Sequence, residues 1–401
     1  MNPLGNTVDE SWSTVTGGHS GIGPVTRFDA SHLPTQIAGE VRDFDYRDYF
    51  EGDMAKKAKR MDAFCHYAAA AAREAAEQSN LSAVKERHRI GIGLGSGIGG
   101  LNVQYENSIA LETKGPRRVS PFYIPMSIGN MASGILSIIY GATGPNISMQ
   151  TACATANHSL AMSQMIISHN MADVMIAGGA ESTINEISMV AFGNMRALST
   201  RNDAPEKASR PYDRDRDGFV LSEGAAVLIL EEYEHAKRRG APILCEILAC
   251  GMSGDAYDFV APDPEGTGAG RAMRMALDQA GITPDDIDYV NTHGTSTPVG
   301  DRAELLGVES VFGTGEDSPY IGSTKGYHGH LLGATAGLEA ILTICAMRDG
   351  VVPANINIET PDEEMPKVKL PTGNVKTGIR TALSNSFGFG GHNSSLVLRN
   401  P

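Results

Sequence analysis

Residues 147–167 read ISMQTACATANHSLAMSQMII, and in this stretch a β-type run changes into a helix with Cys153 at the junction. Residues 147–151 have the apolar and β-branched content of a short buried strand. Ala, Leu, Met and Ile then recur at helical spacing from Ala154 onward. A thiol at a helix N-terminus faces unpaired backbone N–H groups and the positive end of the helix dipole. We therefore interpret Cys153 as a candidate nucleophile.

The position of Cys153 does not by itself make a thiol reactive. Most buried cysteines are inert small hydrophobic residues. A free thiol has a pKa of about 8.5, so half ionisation near neutral pH requires roughly 2 kcal/mol of stabilisation. A helix terminus supplies only ~0.3–1 kcal/mol. A nucleophilic Cys153 therefore needs a histidine or another cationic group nearby.

Length and composition indicate a globular α/β protein. A chain of 401 residues can bury a large core, and it is long enough for two domains or one duplicated fold. The 46 glycines suit a fold with many tight turns. The five cysteines are scattered and lack metal-type spacing, so we expect neither a disulfide framework nor a zinc ribbon. With neither a signal peptide nor a membrane-spanning apolar run, we expect a cytoplasmic protein that does not enter a membrane.

The net charge of −14 argues against nucleic-acid binding through the whole surface. An acidic partner would therefore need a local basic patch. One candidate is the segment KKAKR at residues 56–60, which we expect to open a helix, and the other is Arg117 with Arg118. A solvated helix face and a loop would explain the same charges.

The order of predicted elements restarts after a break at Gly240 and Pro242. Strands and helices alternate on both sides of this break, which divides the chain into residues 1–240 and 241–401. The first half lacks a counterpart to the strand that opens the second half, since Pro3, Gly5 and Asn6 soon follow Met1. The repeat lies in the order of elements, and no residue-level repeat supports it.

Aligning the two halves suggests a partner for Cys153. The strand and helix around Cys153 correspond to a strand at residues 320–324 and a helix that opens near His330. If the halves pack about a pseudo-two-fold axis, the two helix N-termini meet at the centre. We therefore hypothesise that His330 lies beside Cys153.

Two glycine-rich turns of the second half carry the remaining candidate groups. VNTHGTSTPVGD contains His293, and STKGYHGHLLGATAGLEA contains Lys325, His328 and His330. Each histidine alone could be a core residue with satisfied hydrogen bonds. Four segments together, TACATANHS, NTHGTSTPVGD, STKGYHGHLLGA and NSFGFGGHN, resemble the active-site signatures of elongating β-ketoacyl-acyl carrier protein synthases of types I and II. The similarity extends over essentially the whole chain from Pro3 and is closer to type II.

The resemblance implies a fold and a reaction. The family has a duplicated thiolase-like α/β fold, layered α-β-α-β-α, with two pseudo-symmetric halves. The first half, 1–240, would carry the nucleophile and the second, 241–401, the catalytic histidines. The reaction is a decarboxylative Claisen condensation of fatty acid elongation, in which acyl carrier protein delivers both an acyl chain and a malonyl group. A homodimer is also implied.

Matching the family's signatures residue by residue implies roles. The backbone N–H groups of Cys153 and Phe389 match the oxyanion hole, and Phe389 also matches a gate above the thiol. His293 and His330 match the pair that binds the malonyl thioester carbonyl and assists decarboxylation. Lys325 and Glu339 match charged groups that orient the histidines, and Thr295 and Thr297 match threonines that line the pantetheine and malonyl approach. We further expect Phe192 to line the substrate pocket. We expect an acidic carrier protein to dock on the basic residues Lys56, Lys57, Lys59, Arg60, Arg117, Arg118 and Arg196. No metal or organic cofactor is expected, because a thioester is already an activated carbonyl.

The sequence departs from the family pattern in a few places. The first strand of the family fold is missing. Val260 and Ala261 stand where type II relatives often have threonine and serine near the pantetheine arm. His328 and His392 occupy positions where threonine is common, and neither is assigned a catalytic role.

Nucleotide and calcium sites are weaker interpretations of the same sequence. Gly95, Gly97 and Gly100 fit GxGxxG, but no acidic residue follows about 20 positions on, as a dinucleotide fold requires. PYDRDRDG resembles the start of a calcium loop, but the twelfth position counted from Asp213 is Gly224.

Other rival readings concern the histidines and the type of enzyme. A zinc site at His293, His328 and His330 conflicts with the added cation of Lys325. A thiolase proper would carry a second catalytic cysteine, but no cysteine follows Cys345. The alternatives that remain are a polyketide-type ketosynthase and a non-catalytic subunit that docks carrier protein.

Overall fold

The computed structural model describes residues 1–316 and 318–401. The helices of these residues are α1 (Val8–Thr16), α2 (Gly52–Ala58), α3 (Ala63–Gln78), α4 (Leu101–Lys114), α5 (Tyr123–Ser127), α6 (Met131–Tyr140), α7 (Thr155–Ser168), α8 (Glu186–Asn194), α9 (Tyr233–Arg239), α10 (Thr267–Ala280), α11 (Pro298–Phe312), α12 (Lys325–His328) and α13 (Thr335–Asp349).

The strands of the described residues are β1 (Gly23–Pro24), β2 (Ile37–Ala38), β3 (Ile90–Gly95), β4 (Asn146–Ile147), β5 (Val174–Glu181), β6 (Gly224–Glu231), β7 (Glu246–Gly254), β8 (Tyr289–Asn291), β9 (Tyr320–Gly322), β10 (Val351–Val352), β11 (Val375–Lys376), β12 (Thr381–Gly388) and β13 (His392–Arg399).

Two sheets with matching topology form the framework. The first has the strand order β4-β3-β5-β6, and the second has the order β9-β8-β12-β13-β7. In each sheet the first three strands are parallel and the fourth is antiparallel to the third. The four strands of the first sheet therefore correspond one by one to the first four of the second. The predicted repetition of elements is present.

Helices separate and cover the two sheets. Helices α3 and α6 pack on the outer face of the first sheet, and α10 packs on the outer face of the second. Helices α7 and α13 lie between the sheets and contact both. Strand β3 is buried along its whole length, which suits its run of isoleucine, leucine and glycine. The predicted layered α/β fold with two pseudo-symmetric halves is confirmed.

The two sheets differ at one edge. Strand β7 pairs with β13 in the second sheet, whereas β6 has no such neighbour among the described residues. A groove of about 580 Å³ lies at this edge, lined by β6, by α3 and α13, and by residues 243–248.

Two local predictions were wrong in detail. The segment KKAKR does not open a helix: Lys56 and Lys57 lie in the last turn of α2, where cations favour the negative end of the helix dipole. The strand before Cys153 comprises only β4 and ends at Ile147, because the chain then leaves the sheet edge.

No helix within 1–316 and 318–401 combines the length and the apolar content needed to cross a membrane.

Candidate active site

A strained turn presents Cys153 at the start of α7. Ala152 adopts a left-handed conformation with φ 48°, which is uncommon for a residue with a side chain and is often found at functional sites. Residues Ala152–Ala154 form a 3₁₀ turn that leads directly into α7. Thr155 stabilises the turn, because its hydroxyl donates to the Ala152 carbonyl at 2.7 Å and accepts from the Thr151 N–H at 2.9 Å.

A matching turn lies at the start of α13 in the second half. Leu332 also has φ 48°, and the 3₁₀ turn Leu332–Ala334 leads directly into α13 at Thr335. The two helix N-termini meet, as the order of elements predicts. His330 Nε2 lies 3.1 Å from Cys153 Sγ, and His330 Nδ1 lies 3.0 Å from the Thr335 hydroxyl. Because this hydroxyl can donate or accept, Nε2 can accept the thiol proton or donate to a thiolate.

Two backbone N–H groups are directed at the sulfur of Cys153. One is its own amide, and the other belongs to Phe389, which follows the end of β12. The Ser386 hydroxyl in β12 donates to the Cys153 carbonyl at 2.9 Å and ties this strand to the turn. A pair of fixed donors at this place can stabilise negative charge on the sulfur or on a bound thioester oxygen.

The thiol is more protonated than the helix dipole alone predicts. Burial raises the pKa of Cys153 to about 12, although the Lys325 ammonium and the two amides act in the opposite direction. The cation that the sequence required is present, but desolvation outweighs it in the free site. The resting state is therefore a neutral thiol beside a neutral imidazole, because burial lowers the pKa of His330 well below its ordinary value.

His293 completes a pair of facing imidazoles. Its ring centroid lies 5.3 Å from that of His330, and the two rings are nearly perpendicular. Burial lowers the pKa of His293 well below its ordinary value, with further contributions from Lys325 and His330. Its Nδ1 has no hydrogen-bond partner among the described residues. A neutral imidazole in this position can donate a hydrogen bond to a carbonyl oxygen.

Lys325 and Glu339 form a fully buried ion pair behind the histidines. Lys325 Nζ donates to Glu339 Oε1 at 2.6 Å and also to the backbone carbonyl of His293. Burial raises the pKa of Glu339 to about 7, and the neighbouring ammonium opposes this shift. The pair therefore holds the His293 turn and places a positive charge close to both histidines.

Sequence reasoning missed Glu304 and Thr335. Glu304 is buried on α11 and accepts the N–H groups of His293 at 2.8 Å and Gly294 at 2.7 Å. Burial raises its pKa to about 7. Glu304 gave no signal in the sequence, because only the tertiary fold buries it. Thr335 gave no signal, since its contact with His330 depends on the fold of the turn.

The other matched residues lie around this centre. The Thr295 and Thr297 hydroxyls are 3.0 Å apart in the turn after His293. The Phe192 ring packs edge-on against Phe219 at 5.4 Å, and Phe219 packs against His330 at 5.3 Å. These aromatic rings place an apolar wall next to the thiol.

The structure does not support the metal and nucleotide readings. His328 uses both ring nitrogens within the fold, on the Gly329 carbonyl and the Thr324 hydroxyl. Within 1–316 and 318–401, no three His, Cys, Asp or Glu side chains are grouped to hold a metal ion. The amides of Gly97 and Ile98, in the GxGxxG segment, donate to Glu181 and are not free for a phosphate.

The basic residues assigned to docking are exposed on the surface. These are Lys56, Lys57, Lys59, Arg60, Arg117, Arg118 and Arg196. Arg60 stacks on the Phe122 ring at 4.3 Å, and Lys56 pairs with Asp53 at 3.3 Å. The position of Lys56 and Lys57 next to Arg60 gives the end of α2 a local positive charge despite the acidic chain.

Comparison with protein families gives matches to both halves. Residues 1–236 match the β-ketoacyl synthase N-terminal domain, and residues 244–359 match the β-ketoacyl synthase C-terminal domain. Among curated relatives, 3-oxoacyl-[acyl-carrier-protein] synthase 2 of Coxiella burnetii is 48% identical over 99% of this chain and 96% of that protein. The protein of the same name from Vibrio harveyi is 46% identical over 100% of this chain and 96% of its own length.

Solved structures show the same similarity. A β-ketoacyl synthase from Burkholderia phymatum has a TM-score of 0.92 and 29% identity, covering 100% of this chain and 97% of that one. A type II polyketide ketosynthase complex with its acyl-carrier protein has a TM-score of 0.89 and 28% identity, with 100% and 97% coverage. The fold, the site and these similarities agree, and the chain belongs to the β-ketoacyl synthase family.

Proposed function

We propose that the chain is a 3-oxoacyl-[acyl-carrier-protein] synthase of fatty acid elongation. It would condense an acyl group held on Cys153 with malonyl-acyl carrier protein and release carbon dioxide. The observation that carries the proposal is the convergence of His330 Nε2, at 3.1 Å, and two backbone N–H groups on the sulfur of Cys153.

The first step is acyl transfer to Cys153. As the sulfur attacks the thioester carbonyl, His330 accepts the thiol proton, because Nε2 lies within hydrogen-bond reach. The N–H groups of Cys153 and Phe389 stabilise the oxyanion of the tetrahedral intermediate. The carrier thiol then leaves with a proton, and a neutral acyl-thioester remains on the enzyme. A thiol that is neutral at rest is thus activated only when substrate is bound.

The second step forms the carbon–carbon bond. The N–H groups of His293 and His330 bind the malonyl thioester oxygen, and loss of carbon dioxide leaves an enolate stabilised by these donors. The enolate carbon attacks the acyl carbonyl on Cys153, the carbon–sulfur bond breaks, and 3-oxoacyl-carrier protein is released. The departing Cys153 thiolate takes up a proton from solvent and becomes the neutral thiol of the free site again. The buried Lys325 ammonium, paired with Glu339, favours the negative charge that develops near both rings.

Acyl carrier protein is the proposed partner. The V. harveyi and C. burnetii relatives are named after this carrier, and the polyketide ketosynthase structure holds its own acyl-carrier protein. The exposed cations at the end of α2 and at Arg117, Arg118 and Arg196 suit an acidic carrier. Thr295 and Thr297 are proposed to line the pantetheine approach, and Phe192 the acyl pocket.

We also propose that the protein functions as a homodimer in the cytoplasm. Helix α6 leaves Ile138 62% exposed, and Ile124 on α5 is equally exposed. Strand β4 at the edge of the first sheet pairs only with β3 among the described residues. A second copy would cover this apolar surface and the open strand edge.

The free state of all five cysteines suits a reducing compartment. We also propose that the two halves of the chain are residues 1–240 and residues 241–401.

The second candidate is a polyketide-type ketosynthase. Its support is the similarity to polyketide ketosynthase structures at 28% identity. The fatty acid assignment is favoured because relatives named 3-oxoacyl-[acyl-carrier-protein] synthase 2 are 44–48% identical over nearly the whole chain. A non-catalytic docking subunit is disfavoured by the assembled thiol, imidazoles and amides.

Mass spectrometry of carrier-bound products tests the function. The protein is incubated with a series of acyl-carrier proteins of different chain length and with malonyl-carrier protein, in the absence of a reductase. One extension by two carbons per acyl group, with one carbon dioxide released, supports the proposal. Repeated extension would favour the polyketide-type activity, and the absence of any extended product would contradict both.

A further inference from the structure

Glu181 is a buried carboxylate that the proposed chemistry does not use. It is the last residue of β5 and is 0% exposed. No cation is close enough to pair with it in the described part of the chain, and its neighbours are hydrogen-bond donors. An unpaired buried carboxylate is costly to retain, so its surroundings need an explanation.

The carboxylate joins the two halves of the molecule. Glu181 Oε1 accepts from the Ser96 hydroxyl at 2.8 Å and from the Ile98 N–H at 3.3 Å. Glu181 Oε2 accepts from the Gly97 N–H at 2.8 Å and from the Gly333 N–H at 3.0 Å. Three donors belong to the turn after β3, and the fourth belongs to the turn that opens α13 in the second half.

The pseudo-symmetry shows what Gly333 corresponds to. Ala152 and Leu332 share φ 48°, and each is the first residue of a 3₁₀ turn that leads into a helix three residues later. Gly333 therefore occupies the position that Cys153 has in the first half. The N–H of Cys153 faces the site where an oxyanion forms, and the N–H of the equivalent Gly333 faces the Glu181 carboxylate.

The strands that complete the two turns also correspond. Strands β5 and β12 occupy the same place in their sheets, and each ends at the turn of the opposite half. The end of β12 supplies the Phe389 N–H to the Cys153 turn. The end of β5 supplies the Glu181 carboxylate to the Gly333 turn. The second half thus keeps an anion-binding turn that a side chain of the first half fills.

The contact is tight and close to a catalytic group. A Cβ on Gly333 would lie 2.3 Å from the Gly97 nitrogen and 2.8 Å from Glu181 Oε2. His330 is only three residues before Gly333, with the strained Leu332 between them. Strained residues persist only where their surroundings hold them, and the Glu181 bond is the neighbouring constraint.

We propose that Glu181 is a positioning residue, whose carboxylate fills the anion-binding turn of the second half and thereby holds His330 against Cys153. A carboxylate suits this role because all four neighbours donate hydrogen bonds, whereas an amide would place N–H₂ against two of them. Its negative charge also opposes ionisation of Cys153 in the free enzyme. The kinetic part of the inference rests on the proposed condensing activity, but the thiol measurement does not.

The test compares Glu181→Gln with a matched control, Glu40→Gln. Glu40 is also a buried carboxylate that accepts backbone and hydroxyl donors, from Thr26 and Arg27, and it does not contact the Gly333 turn. The rate of Cys153 alkylation by iodoacetamide at a fixed, mildly alkaline pH is followed by peptide mass spectrometry, together with the melting temperature. In Glu181→Gln the alkylation rate should rise, because a nearby negative charge that opposes thiolate formation has been removed. The control should keep the wild-type rate.

Steady-state kinetics provide the second readout. Glu181→Gln should lower kcat for condensation on the order of 10²-fold while KM for carrier protein stays unchanged, because His330 is displaced and the docking surface is not. A folded variant with the wild-type alkylation rate and wild-type kcat would overturn the proposal. Loss of activity only in proportion to lost folded protein, with an unchanged alkylation rate, would also overturn it.

A milder substitution keeps the proposal testable if Glu181→Gln does not fold. Ser96→Ala removes one donor to the carboxylate and leaves its charge in place. Amide hydrogen exchange in the peptide containing Gly333 should become faster, and kcat should fall by a smaller factor at unchanged KM. Wild-type exchange together with wild-type kcat in Ser96→Ala would contradict the positioning role.

Discussion

At the scale of single residues, the proposed mechanism keeps Cys153 protonated until substrate arrives. Burial raises the pKa of Cys153 to about 12 and lowers that of His330, so both groups are neutral at rest. A buried neutral thiol is protected from oxidation and from unrelated electrophiles, because the thiolate is the reactive form. In the proposed mechanism, proton transfer to His330 and the two backbone donors make the sulfur nucleophilic only during acyl transfer.

The division of labour between the two histidines leads to a prediction about His293. His293→Ala should still form the acyl-enzyme, because His330 contacts the sulfur and His293 does not. It should lose carbon dioxide release from malonyl-carrier protein by about 10²–10⁴-fold, since one donor to the developing enolate is removed. Acylation is measured by intact mass and decarboxylation by trapping labelled carbon dioxide. A wild-type decarboxylation rate in this variant would refute the role.

At the scale of elements, strand ends and helix starts build the site. The end of β12 brings the Phe389 N–H to the sulfur, and the 3₁₀ turn before α7 supplies the second donor. Gly388 is the last residue of β12, and a Cβ there would lie 2.7 Å from the Thr151 carbonyl oxygen and 3.1 Å from the Cys153 nitrogen. The close approach of this strand to the turn therefore requires glycine.

Gly388→Ala should separate the strand end from the Cys153 turn. Displacement of the Phe389 amide should lower kcat by about 10²–10³-fold, the usual cost of losing one oxyanion donor. The matched control is Gly373→Ala, because Gly373 has no neighbour within 4 Å of an added Cβ and does not need a left-handed backbone. Steady-state kinetics and melting curves are measured for both variants. A folded Gly388→Ala protein with wild-type kcat would show that this approach is not needed.

Charge reversal on the docking surface tests the role of the exposed cations. Arg60→Glu, Arg117→Glu and Arg118→Glu should each raise KM for acyl carrier protein without changing kcat, and the effect should shrink as salt is added. Arg238→Glu is the control. Arg238 is exposed on α9, which follows β6 at the end of the first sheet remote from Glu181. Equal KM values for all variants at low salt would show that these residues are ordinary surface charges without a role in docking.

The sequence was sufficient to predict the main elements and the proximity of His330 to Cys153, but not the details of the turns. The apolar helical spacing after Cys153 predicted α7, and the repeated order of elements brought His330 to Cys153. The left-handed conformation of Ala152 is set by packing between the halves and leaves no mark in residue type. Glu181 and Glu304 look like ordinary charges at a strand end and on a helix, because only the tertiary fold buries them.

At the scale of the whole molecule, the active site exists only where the two halves pack together. The proposed nucleophile and one backbone donor come from the first half, whereas both histidines, Lys325 and the Phe389 donor come from the second. Among the described residues the first sheet has one strand fewer than the second, and the groove lies beside β6. The turns at Ala152 and Leu332 keep matching geometry in the two halves.

The exposed apolar surface of the first half predicts a dimer. Sedimentation should give about twice the chain mass of 42.4 kDa for the wild-type protein. Ile138→Asp should shift it to the monomer, because a buried charge would be introduced between the copies. Met275→Asp, on the outer helix α10, alters a side chain that is 40% exposed and should leave the dimer intact. A wild-type protein that sediments as a monomer at micromolar concentration would contradict the dimer.

The central claim is that Cys153 carries the acyl group, and intact mass measurement tests it most directly. The wild-type protein, incubated with an acyl-acyl carrier protein alone, should gain the mass of one acyl group. Cys153→Ala should gain none, and Cys250→Ala, which alters another buried cysteine, should gain the same mass as the wild type. Failure of the folded wild-type protein to acquire the acyl group, or an adduct that persists in Cys153→Ala, would contradict the account.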